Sequence, residues 1–364
     1  MSASPQPMLH IRLQQARKAA GLSLRDLAER VGVSHAAIKK YEDGLTTPSS
    51  DMLLQLSQTL GVRVAYFFRP QTVVLDALEY RKHSALPKKR LHAITHAATD
   101  QIERRMELEN LFPHPPKTFN APPELPRIQT MAHAESAAEH VRNAWQLGMT
   151  PIPDLIGTLE NQGIRVFMTE DDGDKHFDGL AARAGDMPVI VMGRHWPGDR
   201  QRFTLAHELG HLLLANRMAK ALDAELVCNR FAGAFLFPRS AVLQELGAHR
   251  SAIDLQELAL LKAEFGLSMG GILYRARDLG IVSAAYHRAQ TDLFKAKGWH
   301  LSEPGPAYPA EKAHHFEQQV FHALAENYIG ESKAAELMNL SLAHLHRMRQ
   351  MEVTVEQTHA GLHQ

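Results

Sequence analysis

Cysteine is nearly absent from this 364-residue chain, with Cys228 its sole representative. No disulfide can close within the chain, and a reducing cytoplasm is the compartment that such usage fits. Long apolar runs are missing as well. No stretch has the length of a signal-peptide core or a membrane span, and the opening MSASPQP is short and polar, so no membrane role is expected. Net charge is also lacking, with 40 Lys and Arg against 40 Asp and Glu. Affinity for a polyanion therefore has to come from a local patch rather than from the field of the whole chain.

What is present is an ordinary globular composition, 45% hydrophobic and 22% charged. It excludes wholesale disorder, and the length allows two or three separate cores. The first 70 residues hold nine Lys and Arg against five Asp and Glu, an excess that permits phosphate binding without demanding it. They read as short helices punctuated by Gly21, Gly32, Gly44 and Gly61, with Ser23, Ser34 and Ser49/Ser50 as N-caps. Residues 71–127 form a connector: a charged helix from about Arg90 to Leu111, then a segment with six prolines in the fifteen positions 112–126. That segment is either a stiff linker or a surface-hugging stretch. Residues 128–295 read as a second domain with helices, three short strands near 164–168, 179–183 and 188–192, and a long helix over 200–218. Residues 296–364 form a helical C-terminal region of unassigned role. The fold class expected is multidomain and mainly α: an all-α N-terminal domain at 8–70, then an α+β domain with a small sheet.

The long helix carries His207-Glu208-Leu209-Gly210-His211. Residues four apart share a helix face, so His207 and His211 can direct their imidazoles at one Zn²⁺ while Glu208 stands beside it as a proton acceptor. The surrounding residues are apolar, and two buried histidines and a glutamate need a partner such as a metal. Gly210 inside the helix suits the close approach of another element. A third ligand is required. Glu225 is the favoured donor, with Asp223 as its rival, and Asn229 one turn later is placed to orient a ligand imidazole. Cys228 reads as a buried packing thiol. For an oxyanion donor the candidates are Tyr274 and Arg275, with His176 and His195 as further options.

AHELGH, the Glu225-x-x-x-Asn229-x-Phe231-Ala232 segment and Phe235-Leu236-Phe237-Pro238 together resemble the ImmA/IrrE family of metallo-endopeptidases. The approach through Phe177-Asp178-Gly179, Pro188–Met192 and residues 199–204 resembles that family too, whereas Cys228 stands where it usually has alanine. The resemblance covers about 130–290. It implies a thermolysin-like α+β core, zinc, and peptide-bond hydrolysis with Glu208 as general base.

Residues 12–67 resemble the XRE family of lambda/Cro-type repressors. The matching residues are Arg17, Gly21-Leu22-Ser23, Leu27-Ala28, Gly32-Val33-Ser34, Ile38, Tyr41-Glu42 and Gly44. Leu27, Ala28, Val31, Val33 and Ile38 would hold two helices so that the second enters a major groove. The resemblance implies Ser34, His35, Ala36, Lys39 and Lys40 on the recognition helix, with Arg17 or Arg25 on phosphate in place of a glutamine that the family often has where Leu24 stands. A double-stranded operator and a homodimer follow from it. The function expected is a DNA-binding regulator whose zinc endopeptidase cleaves a repressor or antitoxin, or the chain itself. Two alternatives stand beside it: a non-proteolytic factor sensing a ligand or metal, and a repressor that binds a toxin. Residues Tyr328–Leu345 have the rhythm of another short helix-turn-helix, although dimerisation or domain packing would serve that pattern equally.

Overall fold

The computed structural model describes residues 8–69, 75–77, 88–114, 116–169 and 177–351. The N-terminal unit contains α1 (Leu9–Ala19), α2 (Leu24–Arg30), α3 (His35–Glu42), α4 (Ser50–Leu60) and a 3₁₀ turn, Val64–Phe68. Its caps are those that the serines foretell. Ser23 accepts from the Asp26 amide and completes a capping box, Ser34 accepts from Ala37, and Ser49 accepts from Met52. Leu13, Leu27, Ile38, Leu56 and Phe67 are fully buried and make the core of this unit.

The connector differs from expectation in one respect, because it contributes β1 (Leu75–Ala77) to the central sheet. Its helix α5 spans Lys88–Glu109. The Pro-rich residues from 116 onward lie along the surface: Leu125 is buried, and its carbonyl accepts from Arg217 Nη1 at 3.0 Å. Of two basic clusters in the connector sequence, Arg81-Lys82 lies outside the described residues and Lys88-Lys89-Arg90 opens α5.

The central unit begins with α6 (Met131–Ala144) and α7 (Leu155–Asn161). Next come β2 (Arg165–Thr169), β3 (Gly179–Ala184) and β4 (Met187–Gly193), then α8 (Gly198–Leu214) and α9 (Ala224–Leu236). It ends with α10 (Arg239–Leu246), α11 (Leu255–Phe265), α12 (Met269–Asp278) and α13 (Ala284–Ala296). The sheet order is β1-β3-β4-β2, with β3 antiparallel to β1 and β4, and β2 parallel to β4. Strand periodicity sends alternate residues to opposite faces. Ala181, Ile190 and Met192 join Leu205, Ala206 and Leu209 of α8 in the main core. Leu180, Ala182, Val189 and Val191 instead meet Ile94, Ala98 and Ile102 of α5. The sheet is thus sandwiched between the connector helix and the helix that carries the histidine motif.

Past α13 the chain runs back along α8 without regular structure. The Gly198 amide donates to the Tyr308 carbonyl at 3.2 Å, and Glu311 pairs with buried Arg202 at 2.5 Å while accepting from the amides of Leu155 and Ile156. The final described helices are α14 (His315–Ala325), α15 (Glu331–Leu337) and α16 (Leu342–Arg349). They share a small core with Leu108 at the end of α5. Among the described residues no helix is long and apolar enough to cross a membrane.

Candidate functional site

The histidine motif sits in the middle of a helix whose packing is settled on both sides. Pro197 starts α8, and Leu205, Ala206, Leu209 and Leu214 are fully buried. Gly210 is the point of closest approach to α9: a Cβ there would meet Cβ and Sγ of Cys228 and the Phe231 ring, all at 3.3 Å. The absence of a side chain at 210 lets the two helices lie close enough for Glu225, on the first turn of α9, to face both histidines. Cys228 is buried in that contact.

The result is a cluster of three ligand atoms. His207 Nε2 and His211 Nε2 are 3.0 Å apart, Glu225 Oε2 lies 3.2 Å from the first, and Glu225 Oε1 lies 3.3 Å from the second. Two nitrogens bound tetrahedrally to one zinc at its usual bond length are separated by about 3.3 Å. These distances suit one shared ion. Asn229, one turn after Glu225, presents Oδ1 to His207 Nδ1 at 2.9 Å. That oxygen accepts the Nδ1 proton, so the lone pair of the neutral ring sits on Nε2, facing the cluster. Asp223, the rival third ligand, is turned away. Its carboxylate caps α9, accepting from the amides of Glu225 and Leu226.

The electrostatics favour a cation at this point. Burial pulls the His207 pKa down, but the Glu225 hydrogen bond, the charges of Glu208 and Glu225, and Asn229 outweigh it and leave the pKa raised. Glu208 is buried, and burial pushes its carboxyl up to about 7, with His207 and a hydrogen bond from the Ala181 backbone opposing and Glu225 and Asp178 adding to the rise. A carboxyl near neutrality suits proton exchange at physiological pH. The Ala181 amide on β3 is a contact that the motif alone does not reveal, and it fixes Glu208 against the sheet.

The expected oxyanion donors fare differently. Arg275 is buried and committed elsewhere: Nη1 and Nη2 donate to Glu135 at 2.8 and 2.6 Å, and Nε donates to the Phe237 carbonyl at 3.1 Å. It is a core ion pair, which corrects the catalytic reading. Tyr274 is half exposed on α12, its ring edge-on to His287 at 4.4 Å and beneath the Arg277 guanidinium at 4.7 Å, contacts that do not bring it to the histidine cluster. His195 is exposed, and His176 lies outside the described residues.

On the N-terminal unit, Ser34, His35, Ala36, Lys39 and Lys40 all lie exposed on α3, and Arg25 is exposed on α2. Lys39 pairs with Asp43 at 2.5 Å across one turn. Arg17 does not join them. It is buried, with Nε and Nη2 on the Glu42 carboxylate at 2.6 and 2.8 Å and Nη1 on the Leu22 carbonyl at 2.8 Å. That fork ties α1 to α3 and to the turn before α2, so its guanidinium is not available to a phosphate.

Comparison with known proteins agrees with this division. Residues 13–67 match the helix-turn-helix family model, and residues 159–277 match the model of the IrrE N-terminal-like domain, peptidase family M78. An uncharacterized HTH-type transcriptional regulator of Mycobacterium tuberculosis is 42% identical over 50 residues, 14% of this chain and 36% of that protein. An uncharacterized transcriptional regulator in the ATPase CF(0) region of Rhodospirillum rubrum is 40% identical over 57 residues, 16% of this chain and 53% of its own length. The chain therefore spans between about a third and a half of the curated relatives it matches. The sequence matches and the geometry lead to one assignment: this mainly α, multidomain chain carries an XRE-type helix-turn-helix domain at its N-terminus and an M78 peptidase-like domain of the IrrE kind in its centre.

Proposed function

We propose that the chain is a DNA-binding transcriptional regulator whose central domain is a zinc-dependent endopeptidase. Its substrate would be a repressor or antitoxin-type protein, or the chain itself, in a stress or mobile-element response. The observation that carries the peptidase reading is the convergence of His207, His211 and Glu225 within bonding distance of one ion, with buried Glu208 beside them. Two imidazole nitrogens and a carboxylate held this close suit a shared cation. Two imidazoles and one carboxylate are the donor set of a catalytic zinc, which keeps a position open for reactants.

Zinc, when bound, supplies Lewis acidity toward the scissile carbonyl and the attacking water. The chain's own residues do the rest. Asn229 holds His207 in the tautomer that points Nε2 at the ion. Glu208, braced by the Ala181 amide, takes the proton of the attacking water and passes it to the departing amine. The exposed row His35, Ala36, Lys39 and Lys40, capped by Ser34, supports DNA binding: the first two suit base edges and the lysines suit phosphates. Arg25 adds a phosphate contact from α2. A reader of this kind works as a homodimer on two half-sites.

The test uses zinc-loaded full-length protein incubated with operator DNA and candidate repressor or antitoxin proteins, beside Glu208→Gln. Cleavage by the wild type alone, with equal zinc content in both, supports the endopeptidase. If nothing is cut and Glu208→Gln leaves regulation in cells unchanged, the peptidase reading fails.

A further inference from the structure

The turn between α15 and α16 repeats the turn between α2 and α3 of the N-terminal reader residue for residue. In the reader, Val31 is the C-cap of the seven-residue α2, Gly32 follows with φ +68°, then Val33, then Ser34 as cap of the eight-residue α3. In the tail, Met338 is the C-cap of the seven-residue α15, Asn339 follows with φ +55°, then Leu340, then Ser341 as cap of the eight-residue α16. The hydrogen bonds of the turn coincide. Val33 donates to the Ala28 carbonyl at 3.0 Å and Leu340 to the Ala335 carbonyl at 2.8 Å, while Gly32 and Asn339 each donate three residues back. Ser34 accepts from Ala37 and Ser341 from His344, each three residues on. Asparagine is the residue besides glycine that most readily takes a left-handed position.

Burial follows the same pattern. Ile38 and Leu345, each four residues after the capping serine, are fully buried. The three positions from the serine onward are exposed in both, as are the two that follow the buried residue. Leu27 and Ala28 in one unit, and Ala334 and Ala335 in the other, form the floor against which the second helix rests. Each pair is preceded by an eleven-residue helix, α1 or α14, closed by a left-handed residue, Gly21 or Asn327. The hydrogen bond after each closure also repeats: Leu22 donates to Arg17 and Tyr328 to Ala323, both five residues back.

The outer face of α16 carries what a polyanion requires. His346, Arg347 and Arg349 are exposed there, with Arg347 at the position that Lys40 holds on α3 and Ala343 at the position of Ala36. Glu331 of α15 holds His346 at 2.9 Å and pairs with Arg349, which leaves the Arg347 side of the helix as its outermost charge. The second unit is also fastened to the reader. Arg69 pairs with Glu336, Arg63 donates to the Leu340 carbonyl, and Arg104 of α5 donates to the Leu337 carbonyl at 2.6 Å.

We infer that α15 and α16 form a second helix-turn-helix that binds double-stranded DNA through α16. A single chain then presents two duplex-reading helices, and its site is longer than one reader covers. The inference rests on the reading of the N-terminal unit as a DNA binder, since it is the equivalence with that unit that gives α16 its role.

The probe is a duplex of about 40 base pairs, roughly four helical turns, recovered by full-length wild-type protein from a random-sequence pool. Binding is followed by fluorescence anisotropy at several salt concentrations and by footprinting. Two α16 variants are compared with Lys39→Ala/Lys40→Ala: Arg347→Ala, which removes a charge, and Ala343→Glu, which removes no interaction but sets a negative charge on the outer face. A thermal melt of each establishes that it is folded. Expected for Arg347→Ala is a salt-dependence slope lower by about 1, and for Ala343→Glu an affinity loss of about tenfold or more. Each α16 variant should lose one segment of the footprint and Lys39→Ala/Lys40→Ala a different one. Folded α16 variants with wild-type affinity, slope and footprint would overturn the second reader while leaving the first intact, and would make α16 a protein-docking helix. Loss of the whole footprint in the Lys39→Ala/Lys40→Ala variant, with none in the α16 variants, overturns it in the same way. A wild type that recovers no duplex refutes both readers.

Discussion

Arg275 offers the sharpest separation between a structural and a catalytic role. Its guanidinium makes two bonds to Glu135 and one to the Phe237 carbonyl, with side-chain exposures of 3% and 11% for the two ionic partners. Arg275→Met removes one charge and strands the other, leaving Glu135, among the described residues, with the more distant Arg230 at 3.7 Å. Breaking a buried pair from one side costs about 3–5 kcal/mol. In a unit of this size each kcal/mol lowers Tm by about 2–4 °C, so a fall of roughly 10 °C is expected. Glu135→Leu on the same background removes the stranded carboxylate, and the double variant should recover most of the loss, because an apolar pair of similar volume replaces the ionic one. Circular dichroism melts of the four proteins at fixed zinc concentration measure the cycle. An unchanged Tm in Arg275→Met together with abolished proteolysis would refute the argument and return Arg275 to the reacting centre.

Three further outcomes are expected. Glu225→Ala lowers zinc affinity in a chelator-competition titration, whereas Asp223→Ala leaves affinity near wild type and costs about 1 kcal/mol of stability as a lost helix cap; the opposite result reassigns the third ligand. Asn229→Ala reduces zinc affinity by about 10- to 100-fold through loss of the His207 tautomer, measured in the same titration; full affinity would show that the hydrogen bond has no such effect. Glu336 has a lowered pKa: burial raises it, but Arg69 and Lys333 outweigh burial. A carboxylate depressed on folding contributes stability above its ordinary value of 4.5 that is lost as pH falls through its folded value. Glu336→Gln should therefore melt below wild type at neutral pH, with the gap closing below about pH 4.5; a gap that persists in acid would assign the loss to something other than this charge.

The parts of the fold written locally were legible in the sequence. Serine caps, glycine stops and apolar spacing placed α2, α3 and the zinc helix, and the three strands of the central unit were recognisable, that at 188–192 from its β-branched run. The spacing of His207, His211 and Glu225 was enough to suggest a ligand set, since two of them share a helix face and the third follows one short return. What escaped was decided by distant partners. Arg17 reads as a phosphate contact and Arg275 as an oxyanion donor until Glu42, 25 residues away, and Glu135, 140 residues away, are placed against them. The three residues of β1 carry too short a pattern to announce a strand, and they pair because the edge of β3 offers unsatisfied backbone groups. The Ala181 amide on Glu208 was invisible for a related reason, as a backbone contact leaves no mark on residue type.

Helix α5 has a consequence for how the chain holds together. Glu103 meets Arg12 of the reader at 2.7 Å, Ile94, Ala98 and Ile102 meet the sheet, and Leu108 meets the C-terminal bundle. A rod of 22 residues is about 33 Å long, and its faces are locked in phase by the helical repeat. One inserted residue within it would rotate everything beyond the insertion by about 100°, so reader, sheet and tail could not all keep their seats. The segment that sequence composition marks as a connector is thus the one element that touches the N-terminal unit, the sheet that carries Glu208's brace and the C-terminal helices together, among the described residues.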